Sequence, residues 1–428
     1  MESKKKTILI VPGIFPFPPY EGGQICIYSF IDFLKEDINI HLLLTTKNKA
    51  EKEYVDKYKT ILNNVNFHIV DTSNETQEPS IARKIIFSIK KIYSHIILLN
   101  KKQKTDNNIK HNFNNFKTPF FIHTEEFVLK FKYLLNQYSY DLVQLEITNM
   151  LNLVTLIPTE TKKIFVDIES RHSLLKDYGT TKNINSHYVK YVSDSYKLIE
   201  HAYMRNFDAI FTLNNADAEV LRRELSDVLV YNSPFPVLDS DINMKDFCDS
   251  AEMTKIVFMG NESHLPNYDA VNWFICEILP NIKSQSFKLF ITGKWTKQTI
   301  QRFCALSPNI VFTGFIDDLK SLLNGSISVV PIRLGGGGMR TKIIYALANN
   351  SAVITTSIAA VGLIDLGKDS FIVSDECEDF INELNKLIID KTQFKKLVDN
   401  GKKLILNNFT QEILGKRRLN YYNEICNK

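Results

Sequence analysis

Residues 327–363 read ISVVPIRLGGGGMRTKIIYALANNSAVITTSIAAVGL. The short apolar run at residues 328–331 predicts a strand that ends at a proline. The four glycines at 335–338 are typical of a loop, because their backbone freedom lets a ligand approach the main chain closely. Residues 339–348 have helical propensity, and residues 351–356 predict the next strand. The order strand, glycine loop, helix and strand therefore places the N–H groups of a helix terminus beside the loop.

Two cations, Arg340 and Lys342, fall in the first turn of this predicted helix. Cations at a helix N-terminus oppose the helix dipole, so their presence favours a negatively charged ligand that compensates them. The pattern G-x-x-x-x-G-K-[ST] of nucleoside triphosphatases is not matched. The segment predicts a phosphate site made from backbone N–H groups, a helix N-terminus and two cations.

Composition limits the function further. A chain of 428 residues with 44% hydrophobic content is long enough for two domains of ordinary size. The net charge of +4 is mild, whereas nucleic-acid-binding proteins usually show a stronger basic excess, so we expect no nucleic-acid partner. The six cysteines are scattered without metal-ligand spacing, which favours reduced thiols in a cytoplasmic protein and no bound metal or other cofactor. The first apolar run is too short for a signal peptide, and no segment reaches the roughly 18 apolar residues of a membrane span.

The first half opens with an alternation typical of a Rossmann-like domain. Residues 6–11 predict a buried parallel strand, and residues 12–23 form a loop with four prolines. A helix is predicted at 24–34 and a second strand at 38–44. The dinucleotide fingerprint G-x-G-x-x-G is absent from this loop.

Residues 81–104 predict a basic amphipathic helix, because isoleucines fall on one side of a helical wheel and basic residues on the other. Such a helix can lie on an anionic membrane surface, where each nearby cation contributes about 1 kcal/mol. It can equally be a domain helix with its apolar side on the sheet and its basic side in solvent. The first interpretation predicts peripheral contact at the inner face of the membrane.

Two predicted strands, at 140–146 and 163–169, carry polar residues at their C-terminal ends. In open α/β sheets, ligands bind beyond the carboxyl ends of the strands. The candidates for acceptor binding or proton handling are Glu146, Asp167, Glu169 and His172. Each of these residues can also be a helix cap or a surface charge. An imidazole such as that of His172 can carry a proton near pH 7.

The segment from Pro331 through Arg340 and Lys342 to Leu363 resembles the donor-binding segment of glycosyltransferase family 4. The pattern G-x-x-x-x-x-P-N-x-D-A-V-x-W-F, which begins at Gly260, is similar to a branch in which Arg340 and Lys342 supply the positive charge. The resemblance implies an α/β, GT-B fold, in which two Rossmann-like domains with parallel sheets face a cleft. It also implies transfer of a sugar from a nucleotide donor with retention of anomeric configuration.

The same resemblance predicts the domain limits. Residues 1–235 would form an N-terminal acceptor domain, and residues 236–408 a C-terminal donor domain. Residues 409–428 would form a C-terminal helix that crosses back onto the first domain. The expected partners are a nucleotide sugar and an acceptor that is a glycan, a lipid-linked molecule or another glycoconjugate.

The resemblance also implies site residues. Arg340 and Lys342 are its catalytic candidates, and they are joined by Asp167, Glu169 and His172, which are candidates because of their position after predicted strands. Donor-binding residues are Gly22, Gly23, Gly260, His264, Phe315, Gly335, Gly336, Gly337, Gly338, Met339 and Tyr345. His264 is the potential cation of its loop, and Phe315 lies in the segment that resembles the contact with the nucleotide base.

The sequence departs from the family at two glutamates. Tyr345 stands where the family has the glutamate that binds the ribose, and Gly337 stands about where the sugar-binding glutamate would be. The retaining glycosyltransferase is the interpretation that we favour. The alternatives are a catalytically silent sugar-nucleotide-binding partner of another transferase and a GT-B-type sugar-nucleotide epimerase.

Overall fold

The computed structural model describes residues 5–73, 121–168, 170–181, 184–245, 253–284, 286–335 and 338–428. The predicted amphipathic helix at 81–104 lies outside these residues. Within them, none of the helices combines the length and the apolar character that crossing a membrane requires.

Strands and helices alternate along the described chain. The strands are β1 (Thr7–Val11), β2 (Asn39–Thr46), β3 (Val65–Asp71), β4 (Leu142–Glu146), β5 (Lys162–Asp167), β6 (Ala209–Thr212), β7 (Leu229–Asn232), β8 (Thr254–Met259), β9 (Phe287–Thr292), β10 (Ile310–Gly314), β11 (Ile327–Val330), β12 (Ala352–Thr355) and β13 (Ile372–Val373). The helices are α1 (Gly22–Leu34), α2 (Lys49–Ile61), α3 (Glu125–Gln137), α4 (Arg171–Thr181), α5 (Ser186–Met204), α6 (Asn215–Glu224), α7 (Leu265–Trp273), α8 (Lys297–Cys304), α9 (Leu319–Leu323), α10 (Thr341–Ala348), α11 (Cys377–Ile389), α12 (Lys391–Asn408) and α13 (Gln411–Asn427). Shorter helical segments are 3₁₀ at Thr148–Leu156, Asp239–Asp241 and Leu279–Asn281, and π at Phe274–Ile278.

Among the described residues, seven strands form the first sheet in the order β3-β2-β1-β4-β5-β6-β7. Strand β1 pairs in parallel with both β2 and β4, and its Ile8 lies opposite Ile40 on one side and Leu142 on the other. Ile8 and Leu142 are fully buried, as the apolar strands of a parallel sheet predict. The strand order reverses between β1 and β4, and such a switch point is where open α/β sheets bind ligands.

The second sheet has six described strands in the order β10-β9-β8-β11-β12-β13. Ile256 of β8 lies opposite Ile327 of β11 in parallel register, and both side chains are fully buried. The strand order reverses between β8 and β11. The loops after Met259 and Val330 therefore leave adjacent strands at the same edge.

The chain divides into two compact units. The first contains Met1–Pro18, Lys35–Val166 and Arg171–Asp208, and the second contains Pro19–Leu34, Asp167–Ser170 and Ala209–Lys428. The domain limits at 235 and 408 stay a prediction.

Within the second unit, the C-terminal helix α13 packs against α1. The buried guanidinium of Arg418 lies 3.9 Å from the ring centroid of Phe30 and 4.6 Å from that of Phe211. Its Nε donates to Ser233 Oγ at 2.6 Å. Cation–π contacts and hydrogen bonds together compensate for burying this charge. At the start of the helix, Gln411 Nε2 donates to the carbonyl of Ser29 at 3.2 Å.

Candidate functional site

The predicted phosphate loop lies at the switch point of the second sheet. It follows β11, and the loop that begins at Gly260 follows the neighbouring strand β8. Gly260 has φ +152°, and a Cβ there would lie 2.5 Å from Nδ2 of Asn267. Glycine is therefore required at Gly260 both for its conformation and for close packing.

Asn267 connects this loop to Lys342. Its side chain is buried, and its Nδ2 donates to the carbonyl of Asn261 at 2.9 Å. Its Oδ1 accepts a hydrogen bond of 2.6 Å from Nζ of Lys342. The same Nζ lies 4.9 Å from the ring centroid of Phe258. Sequence reasoning missed Asn267, although it belongs to the P-N-x-D-A-V pattern.

The positive charges of this site repel one another. Desolvation, followed by the charge of Arg340, lowers the pKa of Lys342 to about 7. Desolvation, followed by the charges of Lys342 and Arg340, lowers the pKa of His264 to about 4. His264 is thus neutral near pH 7, so it does not supply the cation predicted for its loop. Bound phosphate would relieve the repulsion and favour a charged Lys342.

Arg340 occupies the N-cap position of α10, with extended backbone angles, whereas the sequence predicts it in the first helical turn. Gly335 has φ +114°, and a Cβ there would lie 2.6 Å from Nη2 of Arg340. The glycine therefore lets the guanidinium fold back along the loop. Met339 is buried and belongs to the hydrophobic core.

The described end of the glycine run touches two other segments of the second unit. Gly338 has φ +73°, and its N–H donates to Oδ2 of Asp217 at 2.8 Å. A Cβ at Gly338 would lie 3.0 Å from the carbonyl oxygen of Ile168. This contact brings the segment of the buried Asp167 to the loop. Gly336, Gly337 and Glu169 lie outside the described residues.

A second helix N-terminus meets the same region. Helix α1 begins at Gly22, where a Cβ would lie 2.8 Å from Oγ1 of Thr341, the first residue of α10. Gly23 lies in the first turn of α1. Because the free N–H groups of a helix terminus favour anions, two such termini side by side form a stronger anion site than one.

An aromatic pocket of about 440 Å³ opens near the ends of β9 and β10. It is lined by Asn261, Gly293, Lys294, Trp295, Ile300, Phe312, Gly314 and Phe315. Phe315 is 61% exposed, and its ring centroid lies 4.8 Å from that of Tyr20. Exposed rings of this kind suit stacking with a planar base.

Tyr345 is half-buried on α10. Desolvation, followed by the charges of Asp241 and Asp318, raises its pKa, so the phenol stays protonated and can donate a hydrogen bond. Asp241 lies 3.7 Å from Nζ of Lys320. The carboxylates near Tyr345 were not identified from the sequence.

In the first unit, the switch point between β1 and β4 has different chemistry. Asn149 Nδ2 donates to the carbonyl of Gly13 at 3.0 Å. Glu146, at the end of β4, is buried, and its Oε1 accepts from Gln144 at 2.5 Å. Glu146 is therefore not a surface charge, because its side chain is buried and bonded to a neighbouring amide.

His172 lies in the first turn of α4, also in the first unit. Its Nδ1 is 2.6 Å from Oε2 of Glu200, whose side chain is only 3% exposed. Sequence reasoning missed Glu200, because the two residues are 28 positions apart and no local motif joins them.

No group of three or more His, Cys, Asp or Glu side chains suited to a metal ion occurs within the described part of the chain.

Comparisons with known proteins agree with this fold. The family model for "Glycosyl transferases group 1" matches residues 254–390, within the second unit. No curated protein sequence matches the chain. Sucrose-phosphate synthase from Thermosynechococcus elongatus is 11% identical with a TM-score of 0.65, covering 98% of this chain and 99% of that chain.

Complexes with UDP are among the similar structures. One is a mutant of TarM from S. aureus in complex with fondaparinux, alpha-GlcNAc-glycerol and UDP, with a TM-score of 0.62 at 11% identity, covering 98% of this chain and 100% of the other. Another is HepE from Anabaena in complex with UDP and glucose, with a TM-score of 0.59 at 11% identity and the same coverage. The α/β, GT-B fold predicted from the sequence is confirmed. The family match to residues 254–390 supports a glycosyltransferase-type function.

Proposed function

We propose that the protein is a retaining glycosyltransferase of family 4 that uses a nucleoside diphosphate sugar. The observation that carries the proposal is the anion site at the β8/β11 switch point. There the N-termini of α1 and α10 lie together beside Arg340 and Lys342. A diphosphate is the part of a sugar nucleotide that such a site recognises.

The diphosphate is also the leaving group of the transfer. Negative charge grows on its departing oxygen as the bond to the sugar breaks, so fixed positive charge there stabilises the transition state. Arg340 supplies a permanent charge, and a phosphate beside Lys342 would raise its pKa from about 7 and so favour the ammonium form. The N–H groups of the glycine loop and of the two helix termini complete the charge neutralisation. A divalent ion is not expected to be necessary.

The nucleoside would extend from the diphosphate along α10. Tyr345 would donate one hydrogen bond to a ribose hydroxyl in place of the family's glutamate. Phe315 and the aromatic pocket beside it would hold the base. UDP, which is bound in several of the similar structures, is the first nucleotide to test.

Asp167, Glu169 and His172 are proposed to act on the acceptor side, as sugar-hydroxyl ligands or proton carriers. The acceptor would be a glycan, a lipid-linked molecule or another glycoconjugate. A cytoplasmic location with peripheral membrane contact through 81–104 belongs to the same proposal. Vesicle sedimentation with and without anionic lipid tests that contact, using charge reversal of Lys90 and Lys91 as the variant.

Tyr345 supports a second candidate function, in which the protein binds a sugar nucleotide but is a catalytically silent partner of another transferase. Replacing a carboxylate by a phenol removes the charge-assisted bonds to the ribose. The retention of both cations and of the glycine loop supports the enzyme instead.

Calorimetric titration with UDP tests the proposal directly. The wild-type protein should bind UDP, and Arg340→Ala should weaken binding at least about tenfold, since a hydrogen bond to a charged group contributes about 1.5–3 kcal/mol. Arg333→Ala is the matched control, because Arg333 lies in the same loop but is held by Asp269 at 3.1 Å. It should leave UDP affinity unchanged.

Hydrolysis and transfer across a panel of sugar nucleotides then separate the candidates. Binding without turnover would support the silent partner, and sugar isomerisation without an acceptor would support the epimerase. Loss of transfer on chelation, with recovery after Mg²⁺ is added, would contradict the expectation that cationic side chains suffice. Equal loss of UDP affinity in Arg340→Ala and Arg333→Ala would move the phosphate site elsewhere.

A further inference from the structure

The described part of the first unit contains a buried carboxylate that contacts one of the predicted site residues. The side chain of Glu200 on α5 is 3% exposed, and that of His172 on α4 is 17% exposed. Glu200 Oε2 lies 2.6 Å from Nδ1 of His172. Glu200 Oε1 is also buried, and it has no hydrogen-bond partner within the described residues.

Helix α5 holds His172 at a second point. Ser193 Oγ donates to the carbonyl oxygen of His172 at 2.9 Å, and Ser193 is buried. Ser193 and Glu200 lie about two turns apart on α5, so they share one face of that helix. The backbone and the ring of His172 are therefore both fixed by the same rigid element.

This geometry limits which ring nitrogen carries the proton. When Glu200 is ionised it can only accept hydrogen bonds, so the proton of this bond is then carried by Nδ1 of His172. In the neutral imidazole, Nε2 is then the nitrogen with the acceptor lone pair.

We infer that Glu200 is a positioning residue, which fixes the tautomer and orientation of His172 so that Nε2 accepts a hydrogen bond or a proton from a sugar hydroxyl. The inference rests on the proposed function, because it is that proposal which places His172 on the acceptor side. Hydrolases also use a carboxylate to fix the tautomer of an imidazole, and this is the only feature that the pair shares with them. No covalent step is assigned to Glu200.

The alternative is a buried ion pair that only joins α4 to α5. An isosteric replacement of Glu200 distinguishes the positioning role from the purely structural role. The amide of Glu200→Gln can accept from Nδ1 or donate to it, so the tautomer is no longer enforced while the packing volume is kept. A purely structural pair would lower the stability of this variant but leave the kcat of its folded form unchanged.

The experiment combines ring-nitrogen NMR with kinetics on the full chain. The protein is labelled with ¹⁵N-histidine, and the His172 signals are assigned by their loss in His172→Gln. The wild-type ring should be protonated at Nδ1 when neutral, and Glu200→Gln should show a substantial fraction protonated at Nε2. The matched control is Asp194→Asn, which removes an exposed charge from the same helix. Asp194 pairs with Lys190 and interacts with His172 through charge, whereas the carboxylate bond to the His172 ring comes from Glu200. This variant should leave the His172 tautomer unchanged.

In transfer assays, Glu200→Gln should lower kcat about tenfold or more, because a ring in the wrong tautomer cannot accept the proton. UDP affinity should stay within about twofold, since the diphosphate site lies in the other unit. The double variant Glu200→Gln/His172→Gln should be no slower than His172→Gln alone, because Glu200 acts through His172.

An unchanged tautomer in Glu200→Gln, or an unchanged kcat, would overturn this inference. A double variant much slower than His172→Gln would also overturn it. Absence of UDP binding and transfer in the wild type would instead overturn the proposed function, and this inference with it. Circular dichroism confirms that each variant is folded before it is compared.

Discussion

The switch points of the two sheets have the same topology but opposite chemistry. Between β8 and β11, the loops carry two cations and a glycine run. Between β1 and β4, Asn149 bonds to Gly13, and the buried carboxyl group of Glu146 ends the strand. The fold alone thus provides two places where ligands can bind, and the side chains decide which ligand each one suits.

On the proposed function, the positive switch point of the second sheet would bind the diphosphate. The carboxylate of Glu146 and the pair of His172 with Glu200 would bind sugar hydroxyls in the first unit. The comparison can be tested by matched changes at the two switch points.

The largest expected effect is on diphosphate binding at the second switch point. Lys342→Ala should weaken UDP affinity tenfold or more when measured by calorimetry below pH 7, because a charge-assisted contact contributes about 1.5–3 kcal/mol. Asn149→Ala at the first switch point should leave the affinity within about twofold. An equal loss of UDP affinity in Lys342→Ala and Asn149→Ala would contradict the assignment of the diphosphate to the second switch point.

Glycine replacements should separate stability from binding. Gly260→Ala places a Cβ 2.5 Å from Asn267, and Gly13→Ala places one 2.8 Å from the carbonyl of Glu146. Each should lower the free energy of unfolding by about 1–3 kcal/mol in denaturant titrations, which is the usual cost of overpacking.

Only the Gly260→Ala variant should also weaken UDP binding, because Asn267 holds Lys342. Unchanged UDP affinity in folded Gly260→Ala would show that Asn267 does not position the cation.

Raising the pH should increase the contribution of Lys342 to folding stability but decrease the affinity for UDP. The pKa of Lys342 is lowered to about 7 from 10.5, so above pH 7 the unfolded chain binds more protons at this position than the folded protein. Its contribution to stability therefore rises with pH between about 7 and 10.5. UDP favours the charged ammonium, so affinity should fall above pH 7, by up to about tenfold per pH unit.

Calorimetry in buffers of different ionisation enthalpy should detect proton uptake on UDP binding above pH 7. Lys342→Arg is the control, because a guanidinium stays charged at every pH in this range. A wild-type affinity as insensitive to pH as that of Lys342→Arg would show that Lys342 does not titrate on binding.

The smallest effect concerns Tyr345. Tyr345→Phe keeps the ring and removes the hydroxyl, and it should cost about 1 kcal/mol of UDP affinity if the phenol bonds to the ribose. Tyr345→Glu should retain binding, although the nearby charges of Asp241 and Asp318 oppose a new carboxylate. UDP binding by Tyr345→Glu with none by the wild type would favour the silent partner.

Much of the fold followed from local sequence. Apolar runs such as Thr7–Val11 and Ile327–Val330 are buried on both faces, so periodicity and length identified them. Helix starts were less accurate. The sequence predicts a helix from residue 339, but α10 begins at Thr341 with Arg340 as its N-cap. The residues just before a helix can have the same helical propensity as the helix itself. They differ from it in their backbone angles, which the amino-acid composition does not reveal.

The parts of the site that come from one continuous stretch of sequence were predictable. The parts that join residues far apart in the sequence were much less so. The glycine loop with its cations is one continuous motif. Asn267, Asp217 and Glu200 reach their partners from 75, 121 and 28 positions away, respectively. Such pairings depend on sheet order, which the spacing of residues within one strand or helix does not encode. The neutral state of His264 was likewise missed, because it results from charges that only the fold brings near it.

The anchoring of α1 by the C-terminal helix has a consequence for synthesis. Gln411 bonds to Ser29 across 382 positions, and Arg418 lies against Phe30. Proteins emerge from the ribosome N-terminus first, at about 5–20 residues per second, so α1 waits on the order of 20 to 80 s for its partner. Helix α1, which carries Gly22, is therefore synthesised early. It reaches its final packing only after the C-terminal helix has been made. A ribosome that stops before residue 411 would release a chain that carries every residue of the phosphate loop but leaves Phe30 without its cation.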